Sequence, residues 1–350
     1  MKIEIVAAER QDISRLVRNV TWSGSRLNVA RKLEINFTQD DRDPNCPIIE
    51  FDNGYTVVAT NESGEQFFEG NIYRYKKSRA ESNVNLICFD HLHVMKVSKT
   101  TKNYKNVLPE DIAKEMCREL GVIAGNIAET GVPVTFLANQ KTGYQIIMAA
   151  YTEANKKNEK LYQLIMNGAK LDIIEKGTLI ENFVLDSRKN MMNSEYEESI
   201  EKLINQVVLT DEQGNITSRE RDEDSIKKYS QFQAVLKTDP KKDMKKEVEA
   251  VFKNNKVERT GQIKAIGDYR AVSSYSVQIT DGLFNGQFWI KQDTHTFSEG
   301  QHEMKLELEF ENEMNKEEAQ QEKEKTKKSS KSGKRTRKTK EVETNGNTTS

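Results

Sequence analysis

Long apolar runs are missing from this 350-residue sequence. The longest, Ile146 to Tyr151, falls far short of the ~20 consecutive apolar residues of a membrane-spanning helix and continues a helical pattern, so no membrane partner is expected. Cysteine is scarce. Cys46, Cys88 and Cys117 are odd in number, far apart and outside any CxxC pattern, which leaves neither a disulfide framework nor a zinc knuckle. The opening MKIEIVAAERQDISRL carries Glu4, Glu9, Arg10 and Asp12 where a secretory signal needs an unbroken apolar stretch, so synthesis in a cytoplasm is expected. A Walker A loop, a glycine-rich dinucleotide fingerprint, HExxH and GxSxG are all absent. No cofactor is expected, although missing motifs alone do not exclude catalysis.

Apolar residues are also few, 35% against 31% charged, so part of the chain stays out of any core. That part is the C-terminus. Residues 316–350 hold 11 Lys or Arg, 6 Glu and only Ala319 and Val342 as apolar residues, too little to offset the entropy of ordering, and they read as a disordered tail. Without them, 43 basic and 49 acidic residues remain, so the net charge of -1 divides into -6 for the body and +5 for the tail. Nine of the tail's cations lie between Lys325 and Lys340 with no acid among them. Such a run attracts phosphate backbones, but it has no interleaved aromatics for stacking on bases, so a solvated tail is favoured over a nucleic-acid site.

At ~100 to 200 residues per domain the length predicts two or three domains. In Arg31 to Phe37 the apolar Leu33, Ile35 and Phe37 alternate with polar neighbours, the pattern of a one-side-buried strand. Further strands are expected at Pro47 to Phe51, Tyr55 to Thr60, Glu65 to Tyr75 and Val84 to His91, separated by turn clusters, as in a small antiparallel barrel or sandwich. Beyond about residue 105 the period changes. Pro109 can open a helix with Ile112, Met116 and Leu120 on one stripe and Gly121 as its left-handed stop. A second helix carries Tyr144, Ile147, Met148 and Tyr151, and Asn167-Gly168 joins a hairpin of Leu161 to Met166 with Ala169 to Ile174. After about residue 182 strands return at Val207 to Thr210, Asn215 to Arg219 and Met304 to Phe310, with one helix capped by Asp239 and opened by Pro240.

Four histidines allow metal and general-base chemistry to be weighed residue by residue. His91 and His93, two apart on a strand, could share a zinc ion, but no third ligand is signalled and a strand-surface role is favoured. Asp293 and His295 are the sharper pair, able in principle to orient a base or bind a metal. Catalysis needs a constellation and only a pair is visible, so the favoured reading is a hydrogen bond between them at a strand end, beside Trp289 and Phe297, fixing a bend in the sheet. His302 stands alone. No catalytic or metal-binding residue is therefore assigned, and the chain is read as a non-enzyme.

Trp22-Ser-Gly24, followed by Ala30-Arg31-Lys-Leu33 and an alternating strand, resembles the opening of baseplate hub proteins of contractile phage tails or tail-like bacteriocins. These are the XkdQ type of Gram-positive prophages, late control protein D-like. Landmarks recur in order: Tyr196 to Ile200, Asn205 to Val207, Asp211 to Gly214, Ile226 to Tyr229, Gln233, Phe288-Trp289-Ile290, Asp293-Thr-His295-Thr-Phe297 and Met304 to Phe310. The resemblance covers about residues 1 to 315. It makes Trp22, Gly24, Arg31, Leu33, Asn205, Gly214, Tyr229, Trp289, Asp293, His295 and Phe297 framework positions. It departs at two turns, where the family pattern has glycine and this chain has Ser230 and either Ser274 or Tyr275.

The resemblance implies an α+β, β-rich fold: a first tube-type β-barrel domain (1–100), an inserted α+β domain (101–181), a second tube-type barrel (182–315) and the tail (316–350). It further implies a homotrimer in a virion or tail-like particle. Three chains with two like domains each would join a sixfold tail tube protein to a threefold central spike protein, among other baseplate (wedge) proteins. Two classes compete with this structural role. One is a tail-associated cell-wall hydrolase, which lacks visible paired acids; the other is a nucleic-acid binder acting through the basic tail.

Overall fold

The computed structural model describes residues 1–78 and 80–319. The N-terminal stretch forms β1 (Lys2–Val6), β2 (Arg10–Asp12), β3 (Val17–Ser25), β4 (Lys32–Thr38), β5 (Thr56–Thr60), β6 (Gln66–Ser78) and β7 (Asn83–Asp90). Their hydrogen-bonded order is β3-β4-β7-β6-β5-β1-β2. Alternation decides which side faces in: Leu33, Ile35 and Phe37 of β4 are buried, and with Ile3, Ile5, Val20, Val57 and Leu86 they fill one core. The strand expected at Pro47 to Phe51 does not form. Pro47 has no N–H for a ladder, and the Gln11 amide instead bonds the Glu50 backbone in both directions (2.8 and 2.9 Å) while Ile49 and Phe51 plug the core.

The middle stretch comprises α1 (Leu92–Val97), β8 (Lys99–Val107), α2 (Pro109–Glu119), β9 (Ile123–Ile127), β10 (Val134–Thr142), α3 (Gly143–Asn158), β11 (Tyr162–Asn167) and β12 (Lys170–Glu175). Its helix ends follow local chemistry. Pro109 occupies the first turn of α2, and Gly121 just beyond it takes a φ of +69°. Thr142 and Gln145 cap α3 reciprocally, the Gln145 N–H donating to Thr142 Oγ1 (3.2 Å) and the Thr142 N–H to Gln145 Oε1 (3.1 Å). The expected hairpin is present as β11–β12, closing at Asn167 opposite Lys170, with Gly168 at φ +57°. Ile112, Met116, Ile147, Met148, Tyr151 and Tyr162 lie in a second core.

The remaining elements are β13 (Leu179–Asp186), β14 (Met191–Ser199), β15 (Gln206–Thr210), β16 (Ile216–Arg221), α4 (Glu223–Tyr229), β17 (Gln233–Lys237), α5 (Met244–Asn254), β18 (Glu258–Ile266), β19 (Ser276–Thr280), β20 (Asn285–Ser298) and β21 (Gln301–Glu309). Asp239 and Pro240 do not open the helix expected there. The Asp239 carboxylate accepts the Lys241 N–H (2.9 Å) in a turn of its own, and α5 starts later, with Asp243 at its N-cap position. After β21 the chain stays packed. Met314 enters the middle core, the Glu317 N–H meets Thr152 Oγ1 (3.3 Å) and Ala319 lies against the same cluster. The first residues of the expected tail are thus held to the body through Glu317 and Ala319, and its remainder, 320–350, lies outside the described residues.

One antiparallel run, β14-β18-β21-β20-β3-β4-β7-β6, joins the first and last stretches across the β3–β20 pairing. Outward from that seam the same series occurs on both sides: hairpin β3–β4 then hairpin β6–β7, and hairpin β20–β21 then hairpin β14–β18. Because direction alternates at every step, β7, β3, β21 and β14 run the same way. The middle stretch, the chain after β21 and the unit between β14 and β18 therefore all leave from one end of the sheet. That unit, residues 200–257, carries its own sheet, β16-β15-β17, with α5 packed on one face. On the other side of the seam, β6 and β7 are joined by a short link.

Ser230 (φ +72°, ψ 174°) and Ser274 (φ +91°) both hold a positive φ that an L side chain rarely adopts. Ser230→Gly and Ser274→Gly are each expected to stabilise the fold by roughly 1 kcal/mol, the released strain less glycine's entropic cost. Urea titration checks this, and an unchanged or lower midpoint for both would show that neither turn is strained.

Candidate functional site

The seam gathers residues from both ends of the sequence. In the β3–β20 ladder His295 is paired with Trp22 and Asp293 with Gly24, while β3–β4 pairs Trp22 with Leu33. Arg31 enters from the loop before β4, its N–H held by Asp90 Oδ2 (2.9 Å). Its guanidinium grips Asp293 at both oxygens, Nη1 to Oδ1 at 3.0 Å and Nη2 to Oδ2, and lies 4.0 Å above the Trp22 ring. A side chain at Gly24 would overlap that guanidinium, which explains the glycine at this strand position.

Asp293 and His295 are both 0% exposed. The Ser273 N–H adds a third bond to Asp293 (2.6 Å). His295 Nε2 donates to the Ala271 carbonyl (3.1 Å), leaving Nδ1 to accept from His302 Nε2 (3.0 Å). The expected Asp293–His295 bond is not the principal contact: the two groups are 3.5 Å apart and each is satisfied elsewhere. Burial is the first cause lowering both His295 and His302 to about 4, so both rings are neutral at pH 7. Burial likewise raises Asp90 to about 7. A fully enclosed carboxylate and imidazole with every described partner position used cannot reach an external substrate, so the geometry favours a joint rather than a catalytic base.

The other framework positions fall in three places. Phe297 stacks on His302 (4.2 Å between centroids) and touches Phe67 and Tyr269, extending the seam's aromatic cover. Trp289 is not beside Asp293. It lies toward the other end of β20, opposite Ser276 and Glu309 and against Gly177, whose φ of +91° brings its backbone close to the indole. Asn205, Gly214 and Tyr229 belong to the 200–257 unit. The Asn205 amide accepts the Phe232 N–H (2.7 Å) and donates to the Ser230 carbonyl (2.8 Å), pinning the strained turn; Gly214 (φ +87°) closes the β15–β16 loop; Tyr229 reaches Glu198 (3.3 Å).

His91 and His93 do not share a strand face, because β7 stops at Asp90, whose carboxylate takes the Leu92 N–H (3.1 Å) and starts α1. His93 stacks on Phe89 and His91 sits 3.6 Å from Glu69. Among the described residues no group of three His, Cys, Asp or Glu could hold a metal ion. His302, read as isolated, is the partner of His295. A second joint has no motif in the sequence: Lys176 Nζ, fully enclosed, bonds Glu309 (3.0 Å) and Asn312 (3.2 Å), and Arg26 bonds the same Glu309. It ties the exit of the middle stretch to the end of β21.

Comparison with known proteins gives one family model, described as YQBQ-like, matching residues 20–309. The phage-like element PBSX protein XkdQ of Bacillus subtilis (strain 168) is 22% identical over 322 residues, covering 87% of this chain and 95% of the relative. Among solved structures, the prophage MuSo2 43 kDa tail protein from Shewanella oneidensis is similar with a TM-score of 0.65 at 9% identity, over 88% of this chain and 98% of that one. The E. coli c3393 protein, described as a type VI secretion component similar to T4 tail proteins gp27 and gp5, matches with a TM-score of 0.53 at 8% identity, over 88% of this chain and 76% of that one. These structural likenesses establish a shared fold.

Arg31→Met should cost about 3–5 kcal/mol, because it strands a buried carboxylate, whereas Arg31→Met with Asp293→Leu should recover a large part of that loss. A double change as damaging as the single one, in urea titration, would deny the pair its role. The pH dependence has a definite sign. His295 and His302 have folded values below their ordinary 6.5, so their contribution is present above pH 6.5 and lost as pH falls toward 4. Asp90, raised above its ordinary 3.8, acts oppositely and loses its contribution as pH rises through about 7. His302→Phe should therefore flatten the acid-side fall of the urea midpoint between pH 6.5 and 4, and an unaltered slope would contradict the assignment.

Proposed function

The chain belongs to the YQBQ-like family, and from that premise we propose that it is a structural hub of a contractile tail's baseplate, a trimeric adapter between a sixfold tail tube and a threefold central spike. The observation that carries this reading is the repeated hairpin series about the β3–β20 seam. One chain with two like sheet halves supplies six from three copies, which lets one assembly meet both symmetries. The names of the relatives support the setting: a phage-like element protein, a prophage tail protein and a secretion component likened to T4 tail proteins.

On this reading residues 1–100 and 182–315 form the two wall units and 101–181 the inserted domain. Trp22, Gly24, Arg31, Leu33, Asp293, His295 and Phe297 hold the wall units at a fixed angle. Tube, spike and wedge proteins are its partners, and the particle's baseplate is its location. No catalytic step is assigned, since the Asp293–His295 pair is enclosed and engaged. Cell-wall hydrolysis would need a nucleophile or paired acids open to substrate.

Reconstruction of the assembled particle tests the proposal. Three copies on the tail axis, with both wall units of each contacting the tube in a pseudo-sixfold ring, are expected. One copy, or a dimer, would overturn the adapter model.

A further inference from the structure

We propose that the outer face of the β16-β15-β17 sheet is a docking surface for an acidic, extended segment of a protein partner, engaged once per subunit. The inference rests on the hub reading for its stoichiometry only: the 200–257 unit interrupts one of the two hairpin series, so a ring of six like halves would carry three such units.

Register defines the face. Val207, Leu209 and Leu236 point toward α5 with Val248, Val251 and Phe252. The opposite side is a grid of three rows across the three strands. Arg221, Gln206 and Gln233 form the first row, linked by Arg221 Nε to Gln206 Oε1 (2.7 Å) and Gln206 Nε2 to Gln233 Oε1 (2.5 Å). Arg219, Val208 and Val235 form the second, and Ile216, Thr210 and Lys237 the third. The grid therefore holds three cations and no carboxylate, although residues 1–315 as a whole are acidic by six charges. Arg221 leans on Glu223 at its border (3.2 Å), while Arg219 and Lys237 have no ion-pair partner among the described residues.

Two further features select the occupant. Ile216 and Val235 are 52% and 58% exposed within this basic frame, so the matching surface carries apolar groups beside its acids. β17 ends the sheet with no strand beyond it among the described residues, leaving an edge on which an extended segment can add. An alternating acidic and apolar strand meets all these demands. A nucleic acid meets fewer, because none of the nine grid positions is aromatic and bases would find nothing to stack on.

The test uses the full chain and a fluorescein-labelled, capped hexapeptide of alternating Glu and Val, with a Lys and Val peptide and a thymidine oligonucleotide as comparisons. Anisotropy should show binding of the acidic peptide that weakens with salt, falls roughly tenfold in R219E/K237E, and gives way in that variant to binding of the Lys peptide. Hydrogen exchange should slow along β17 when the acidic peptide is bound. Equal affinity of parent and variant would overturn the proposal, as would tighter binding of the oligonucleotide with the same charge dependence. Sedimentation of both proteins keeps the two readings apart: peptide binding by a chain that never forms trimers, even in the particle, would leave the surface standing while the hub reading falls.

Discussion

A single buried ion pair, Arg31 with Asp293, sets the relation between the two halves of the large sheet. Burying both charges is costly, and the cost is offset where two oxygens meet two guanidinium nitrogens, Ser273 supplies the carboxylate with a third donor and the Trp22 face covers the cation, while Arg31 Nε and Trp22 Nε1 are buried without a hydrogen-bond partner among the described residues. Such a pair adds little net stability over an apolar pair, but it tolerates no alternative register. A slip of the β3–β20 ladder by one residue would turn Asp293 to the other face and leave Arg31 alone. Gly24 belongs to the same constraint, since the guanidinium occupies the space a side chain would need.

Around that joint the remaining contacts can be understood as sealing. His295 and His302 satisfy one another and the Ala271 carbonyl without introducing charge beside the pair. Phe297, Phe67 and Tyr269 then exclude water. The second joint, Lys176 with Glu309 and Arg26, fixes the middle stretch to the end of β21 in the same manner. A scaffold whose parts must hold a set angle gains more from such directional locks than from additional apolar area, which would permit sliding.

Much of the fold was legible because its causes are local. Alternation at Leu33, Ile35 and Phe37 and along Met304 to Phe310, Pro109 and Gly121 around α2, and Asn167-Gly168 in the β11–β12 hairpin each act within a few residues. Expectation and structure part where a contact outside the local periodicity intervenes. Gln11 replaces a strand partner for Glu50 from far along the chain, the Asp90 carboxylate takes the Leu92 N–H and ends β7 before the histidines, and the packed run to Ala319 depends on α3. The site divides in the same way. Trp22, Gly24, Arg31, Asp293 and His295 could be picked out by resemblance, yet their convergence could not, because no periodicity connects positions so distant. Ser230 and Ser274 show the converse case: both adopt a left-handed backbone that serine itself does not signal.

The distance between the two halves of the joint also has a cost during synthesis. Arg31 and Asp293 are 262 residues apart. At ~5–20 residues per second a ribosome takes about 13–50 s to add the intervening chain. Throughout that interval β3 has no β20 beside it, and Arg31 has no counter-ion. The first half must therefore wait with an open strand edge, in a cell crowded with other nascent sheets. The exposure of that edge during synthesis follows from where the chain places its last strands, independently of how stable the finished molecule is.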